Sequence, residues 1–311
     1  MSKVLVTGGA GFIGSHIVEV LLEKGYEVAV IDNLSTGKVE NLNLTNLDFF
    51  HCDILDSSKF LTIMEEIKPD YIIHQAAQVS VAESVNNVLF DQEVNIKGSL
   101  NIIEAAKKYN VKKIVFASSA AVYGNPEFLP IDLTHPIHPT SPYGLSKFTV
   151  EEYLRISKEL FGIDYTVLRY SNVYGPRQDS KGEGGVVAIF SDKISNGEQP
   201  TIFGDGNQTR DFIFVGDVAR ANVAALTSES GTYHVSSGNY ITINQLFDCM
   251  MGASSNKCAP IYKKERDGDI RNSVLDYTTT LEKLNWRPLV TLKEGLDRTL
   301  EFYKKSYAKI N

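Results

Sequence analysis

The chain has 311 residues, 43% of them hydrophobic, and 31 Lys and Arg set against 38 Asp and Glu give a formal net charge of −7. An acidic balance with no run of basic residues excludes a general nucleic-acid surface, and no apolar run approaches the length needed to span a membrane. Cys52, Cys249 and Cys258 are odd in number and free of CxxC spacing, which fits a reducing compartment better than a disulfide framework. The opening "MSKVLVTGG" enters a strand pattern at once, so the expectation is a cytoplasmic protein with no signal peptide.

Short β-branched runs come first: "KVLVT" (3–7), "EVAVI" (27–31), "LDFFH" (47–51), "YIIH" (71–74), "KKIVFAS" (112–118) and "DYTVLRY" (164–170). Helical patterns lie between them at about 12–24, 57–67, 89–109 and 143–161. This alternation predicts an α/β protein, a Rossmann-type doubly wound parallel sheet over residues 1–170. Beyond 171 the rhythm breaks into Gly-rich loops such as "KGEGG" and "GDGNQ", while "GTYHVSS" (231–237) reads as a strand able to return to the main sheet. Residues 171–311 are therefore expected to form mainly a smaller, discontinuous lobe.

"VTGGAGFIGSH" follows the first strand and opens a helix, with Gly8, Gly11 and Gly14 spaced three apart. Small residues let the backbone turn tightly and approach a pyrophosphate, and the helix start offers free N–H donors. Asp32 ends the next strand, where a carboxylate accepts from ribose hydroxyls and repels a 2′-phosphate, so NAD is favoured over NADP. Phe12 and Ile13 at the helix start, and Asn33, Ser35, Thr36 and Gly37 after Asp32, belong to the same expected cofactor surface. Asp53 and Ile54, after the third strand, are placed to meet the adenine, with an ordinary turn carboxylate as the alternative for Asp53.

"SPYGLSK" (141–147) puts Tyr143 and Lys147 four places apart. Ser141 suits a helix cap and Pro142 its first position, so both side chains are expected on one face near a helix start. The same spacing at Tyr109 and Lys113 straddles a helix end and is read as accidental. Free tyrosine ionises near pH 10; a nearby ammonium together with the positive nicotinamide of NAD would bring Tyr143 into the range of a working base. The strand "KKIVFAS" ends at Ser118 and Ser119, on the edge of a parallel sheet where ligands lie, and Ser119 is positioned to share a substrate proton with Tyr143.

Together "TGGAGFIGSH", "FASSAAVYG", "SPYGLSK" and "RYSNVYGPRQ" resemble the extended short-chain dehydrogenase/reductases and, within them, the UDP-glucose 4-epimerases. The resemblance implies that Tyr143 is the base, Lys147 its modulator and a nicotinamide-ribose ligand, and Ser119 its partner. It implies further that Ala76, Ala77, Gln78, Asn95, Ser118 and Tyr170 contact or support the cofactor. For a UDP-hexose substrate it points to Asn172 and Arg210 with Arg266 on phosphate, Phe203 on uracil, Asp269 on ribose, and Val187 and Ser273 in the same pocket. Each of these has a plain alternative as a surface, core or turn residue. Ser171 and Ser273 stand where relatives carry larger side chains, and the wider pocket this implies extends the expectation to UDP-N-acetylhexosamines. The resemblance also suggests a homodimer through the helices at 89–109 and 143–161. A UDP-uronate or dTDP-sugar epimerase, a dehydratase and a non-catalytic NAD-binding regulator are the competing readings, although "SSAAV" lacks the Asp and Glu that dehydratases commonly place there. No metal is expected: His135 and His138 sit in a rigid "HPIHP" loop without an evident third ligand, and His74 reads as a packed or hydrogen-bonded core histidine.

Overall fold

The computed structural model describes residues 2–181, 185–254, 256–265 and 270–308. In chain order the strands are Lys3–Thr7 (β1), Glu27–Asp32 (β2), Asp48–His51 (β3), Tyr71–His74 (β4), Lys113–Ser119 (β5), Asp164–Tyr170 (β6) and Asn172–Tyr174 (β7). Thr201–Phe203 (β8), Thr209–Arg210 (β9), Phe212–Phe214 (β10), Gly231–Val235 (β11), Ile241–Thr242 (β12) and Ile261–Lys263 (β13) follow. The helices are Phe12–Glu23 (α1), Ser57–Ile67 (α2), Val81–Asn86 (α3), Val88–Asp91 (α4), Gly98–Lys108 (α5) and Pro142–Phe161 (α6). The later part adds Val186–Ser195 (α7), Val215–Ala225 (α8), Ile243–Ala253 (α9), Thr278–Leu284 (α10) and Leu292–Ala308 (α11).

Seven strands form one sheet in the order β11-β6-β5-β4-β1-β2-β3, and each pairing in it is parallel. Successive residues of β1 face opposite ways. Val4 and Val6 join a core with α1 and α8, whereas Leu5 joins one with α2, α5 and α6. Both faces must therefore be covered, which is why the strands read as nearly continuous apolar runs. The strand order reverses at β1, which pairs with β4 on one side and β2 on the other, and at such a point the loops leaving the carboxyl ends diverge and open a crevice.

α6 starts as its sequence dictates: the Ser141 hydroxyl accepts from the Gly144 N–H at 3.1 Å, Pro142 occupies the first turn, and Gly162 ends the helix at φ 74°. The single helix expected over 89–109 is instead α4, a π-helical segment Gln92–Lys97, and α5. Asn95 accounts for the wide turn. Its buried amide accepts from the Gln78 N–H at 2.9 Å and donates to the Gln78 carbonyl at 3.0 Å, tying the helix to the loop after β4.

Away from the sheet, β7 pairs with β10, β9 with β12 and β8 with β13. α7, α9 and α11 close over these short ribbons around Phe190, Phe247, Met250 and Leu296. No helix among the described residues is long and apolar enough to cross a membrane.

Asp217, fully buried in the first turn of α8, binds the C-terminal part to the sheet. Its carboxylate accepts from the Leu289 and Val290 N–H groups, each at 3.1 Å, and pairs with Arg220, while its carbonyl accepts from the Trp286 indole at 2.9 Å. Asp217→Ala would strand the Leu289 and Val290 N–H groups and Arg220, and a loss of about 3 kcal/mol in unfolding free energy is expected by urea denaturation.

Candidate active site

The loop after β1 is built for close backbone approach. A Cβ on Gly8, at φ +69°, would lie 2.6 Å from the Ala76 nitrogen, and one on Gly14 would lie 2.1 Å from the Gly8 oxygen. Phe12 and Ile13 open α1, and no side chain caps that helix and no acidic residue stands in its first turn. Its N-terminal N–H groups thus face the crevice end of the sheet without competition for an anion. Asp32, 7% exposed, accepts from the Ala10 N–H at 2.9 Å through one oxygen and from the Leu34 N–H at 2.8 Å through the other. Each oxygen keeps a lone pair for a further donor. Gly37 lies over this carboxylate, where a Cβ would come within 2.8 Å of it. Such a backbone fits a dinucleotide's pyrophosphate and ribose.

Beyond Asp32 the loops brace one another. Asn33 donates to Asp53 at 2.9 Å and accepts from the Ser35 N–H at 3.0 Å, while Asp53 also accepts from the Leu55 N–H at 2.8 Å. Asp53 thus braces its own turn, and each of its oxygens keeps a lone pair for a further donor, as in Asp32. Ser35 and Thr36 are exposed, and Ile54 is 5% exposed against α2 and α5. After β4, Ala76 and Ala77 are half-buried and Gln78 is buried. The Gln78 amide donates to Asp91 at 2.9 Å, and Asn95 donates to the same carboxylate at 3.0 Å. The Tyr170 hydroxyl is bonded to Gln75 at 3.1 Å and to Asn222. His74 lies between the Thr7 and Ser99 hydroxyls at 2.8 and 2.9 Å, and burial pushes its pKa down to about 3, so it is a neutral core residue.

At the carboxyl ends of β5 and β6 the chain brings Ser119, Tyr143 and Lys147 together. The Lys147 ammonium, 4% exposed, donates to the Ala117 carbonyl at 3.0 Å and lies 5.8 Å from the Tyr143 ring centre. Burial pulls Lys147 down to about 8 against the opposing charges of Asp91 and Glu151. Burial pushes the Tyr143 phenol up to about 12; hydrogen bonding with Ser119 works against that rise and Asp91 adds to it. Burial thus works against the charged form of both groups, and the positive charge of bound NAD would favour the phenolate. Ser119 also accepts from the Ala121 N–H at 3.2 Å, capping the short turn that follows β5. Tyr109 ends α5 and Lys113 donates to Ser228, so that second pair shares no helix.

Ser118 is turned the other way, its hydroxyl donating to Glu151 at 2.5 Å. Glu151, Arg169 and Asp91, all nearly inaccessible, went unread in the sequence, although Glu151 stands one helical turn beyond Lys147.

In the smaller lobe Asn172 is exposed on β7, its amide donating to the Asp211 carbonyl at 3.1 Å. Phe203 ends β8 half-buried, Arg210 lies on β9 with its guanidinium on the Thr209 carbonyl at 2.8 Å, and Ser273 is half-buried. Val187 is 1% exposed, its side chain packed in the lobe core. Arg266 and Asp269 lie outside the described residues. Asp211 is buried beneath the group; Ser171, Ser237 and the Leu275 N–H bond its carboxylate, and burial lifts its pKa to about 6. The imidazole of His135 accepts from the Glu127 N–H at 2.9 Å and donates to the Pro136 carbonyl at 2.8 Å. Among the described residues no group of three His, Cys, Asp or Glu could hold a metal.

A parallel sheet with a glycine-lined phosphate cradle at its switch point, and a Tyr–Lys pair one helical turn apart beside a strand-end serine, define a dinucleotide-dependent enzyme of the short-chain dehydrogenase/reductase type. The chain belongs to the NAD dependent epimerase/dehydratase family, whose model matches residues 4–236, and its cofactor is NAD. A UDP-glucose 4-epimerase from Thermotoga maritima, solved with UDP-glucose, is 47% identical, with a TM-score of 0.96 over 98% of this chain and 99% of that one. A UDP-glucose 4-epimerase from Thermus thermophilus, solved with NAD, is 43% identical, with a TM-score of 0.92 over 97% and 99%. A UDP-N-acetylglucosamine 4-epimerase from Methanobrevibacter ruminantium, in complex with UDP-N-acetylmuramic acid, is 40% identical, with a TM-score of 0.93 over 98% and 99%.

The glycines make a graded prediction. Gly14→Ala forces a carbon into the Gly8 carbonyl and is expected to weaken NAD binding about 100-fold, or about 2.7 kcal/mol. Gly11→Ala meets only the Gly8 oxygen, at 3.2 Å, and should cost much less; titration calorimetry with NAD compares the two.

Proposed function

We propose that the protein interconverts UDP-glucose and UDP-galactose at C4 through a transient 4-keto sugar. The observation that carries this reading is the juxtaposition of Tyr143, Lys147 and Ser119 at the mouth of a dinucleotide crevice. When bound, NAD supplies reversible two-electron oxidation of the sugar alcohol. Tyr143 accepts the C4 hydroxyl proton and later returns it, and Ser119 bonds the same oxygen. Lys147 holds the nicotinamide ribose and stabilises the phenolate.

An epimerase must let the keto sugar turn over while the remainder of the substrate stays fixed, so binding energy belongs on the nucleotide diphosphate. In this reading residues 1–170, with the strand near 231–237, carry NAD, and the part after 171 carries the nucleotide sugar. Arg210 and Arg266 take the diphosphate with Asn172, Phe203 stacks on the base, and Asp269 accepts from the ribose. The small side chains of Ser171 and Ser273 support acceptance of N-acetylated UDP-hexosamines as well.

Purified protein is expected to convert UDP-galactose into UDP-glucose without added NAD, read from the anomeric protons by NMR, and to turn over UDP-N-acetylgalactosamine in the same assay. Tyr143→Phe should lower kcat by about 100-fold or more while NAD stays bound. Absence of turnover on any UDP-hexose, even with NAD added, would defeat the proposal.

A homodimer belongs to the same proposal. Val85, Leu89 and Phe90 on one side, and Leu145, Ile156 and Leu160 along α6, leave their apolar side chains exposed, a surface suited to a second copy. Sedimentation velocity should give a two-chain species, and Leu89→Glu with Leu160→Glu should convert it to a monomer.

A further inference from the structure

Beneath the Tyr–Lys pair runs a chain of buried polar groups that the reaction itself does not use. Glu151, 4% exposed, accepts from the Ser118 hydroxyl at 2.5 Å and from both ends of the Arg169 guanidinium, at 3.0 and 2.5 Å. Arg169, 5% exposed on β6, reaches onward to the Tyr123 hydroxyl at 2.6 Å. That hydroxyl bonds His234 Nε2 at 2.6 Å, and His234 Nδ1 bonds the Asp276 carbonyl at 2.7 Å. Since Arg169 only donates, Tyr123 must pass its proton toward His234, which is then neutral with its own proton on Nδ1.

The register of these contacts matters. Lys147 and Glu151 are one helical turn apart on α6, and they grip consecutive residues of β5, Lys147 on the Ala117 carbonyl and Glu151 on the Ser118 hydroxyl. The next residue of β5 is Ser119. Two pins one turn apart thus fix both the rotation of α6 and the height at which Tyr143 meets Ser119.

Charge is the second consideration. Four other titratable groups face Lys147: Tyr143 and Glu151 on its own helix, Asp91 on α4, and His74 on β4, which is neutral. Arg169 and Tyr123 stand behind Glu151, while Glu83, Glu93, Lys97 and Glu104 on the neighbouring elements are exposed. Two carboxylates therefore decide whether a buried amine stays an ammonium. Asp91 also sits close enough to oppose the phenolate; Glu151, two turns from Tyr143, supports the ammonium without that drawback.

We infer that Glu151 is a positioning residue: held by Arg169 and Ser118, it locks Lys147 against the end of β5 and keeps it an ammonium while Tyr143 gives up its proton. The inference deepens the assignment of Tyr143 as the base, and its test needs no turnover.

NAD-loaded parent, Glu151→Gln and Glu151→Gln/Arg169→Met are titrated by near-ultraviolet tyrosinate absorbance. Each curve is taken as the difference from the same protein carrying Tyr143→Phe, so that one of fifteen tyrosines is read. Glu151→Gln should raise the Tyr143 midpoint by about one pH unit, and the double variant should raise it by less. If Glu151→Gln does not fold, the double variant decides, since it leaves no buried charge unpaired. A folded, NAD-retaining Glu151→Gln with the parental midpoint overturns the inference. So does a double variant at the parental midpoint, which would trace the effect to a stranded Arg169. A parent that titrates as described but turns over no UDP-hexose would defeat the epimerase reading and leave this one standing.

Discussion

Taking the Lys147 side chain down to 4% exposure would cost several kcal/mol unless the ammonium kept an acceptor and opposing charge close by. The Ala117 carbonyl is the acceptor, and Asp91 and Glu151 are the charge. Each carboxylate is in turn committed to a second task. Asp91 receives Gln78 and Asn95, which shape the loop after β4, and Glu151 receives Arg169 and Ser118. The ends of β4, β5 and β6 are thereby tied to one cation, and the crevice these loops line takes its shape from the same contacts that set the proton affinity of the site.

The outer lobe depends on carboxylates as well, but for cohesion. Asp211 gathers Ser171, Ser237 and Leu275, so the turn after β6, the end of β11 and the approach to α10 meet at one point. Because β11 lies in the main sheet, a displacement of the Arg210 strand is felt at β6 through that knot.

Much of this was open to inspection in the primary structure. The inner strands β1 and β2 obey the rule that a sheet buried on both faces needs nearly unbroken apolar runs, and "SPYGLSK" announces its own helix cap. The glycine loop could be read because its spacing is a local steric demand. Less could be read where a role depends on a partner distant in the chain. Glu151 looks like one more acidic residue on a helix until Arg169 arrives from β6, and the bonds by which Asn33 and the Leu55 N–H brace Asp53 have no local signature. The break in the long helix after β4 was hidden for a related reason, since apolar residues recur through it with a helical rhythm and only the bonds of Asn95 to a remote loop reveal the wide turn.

That wide turn also changes what the rod can face. An extra residue in one turn of a helix advances every later side chain by about 100°. Before it, Val88, Leu89 and Phe90 look outward; after it, Ile102, Ile103 and Ala106 look into the sheet. One continuous piece of backbone therefore serves two surfaces that a regular helix of the same length would have to serve with a single stripe. A one-residue deletion that restored the ordinary pitch would rotate one of the two stripes away from what it covers.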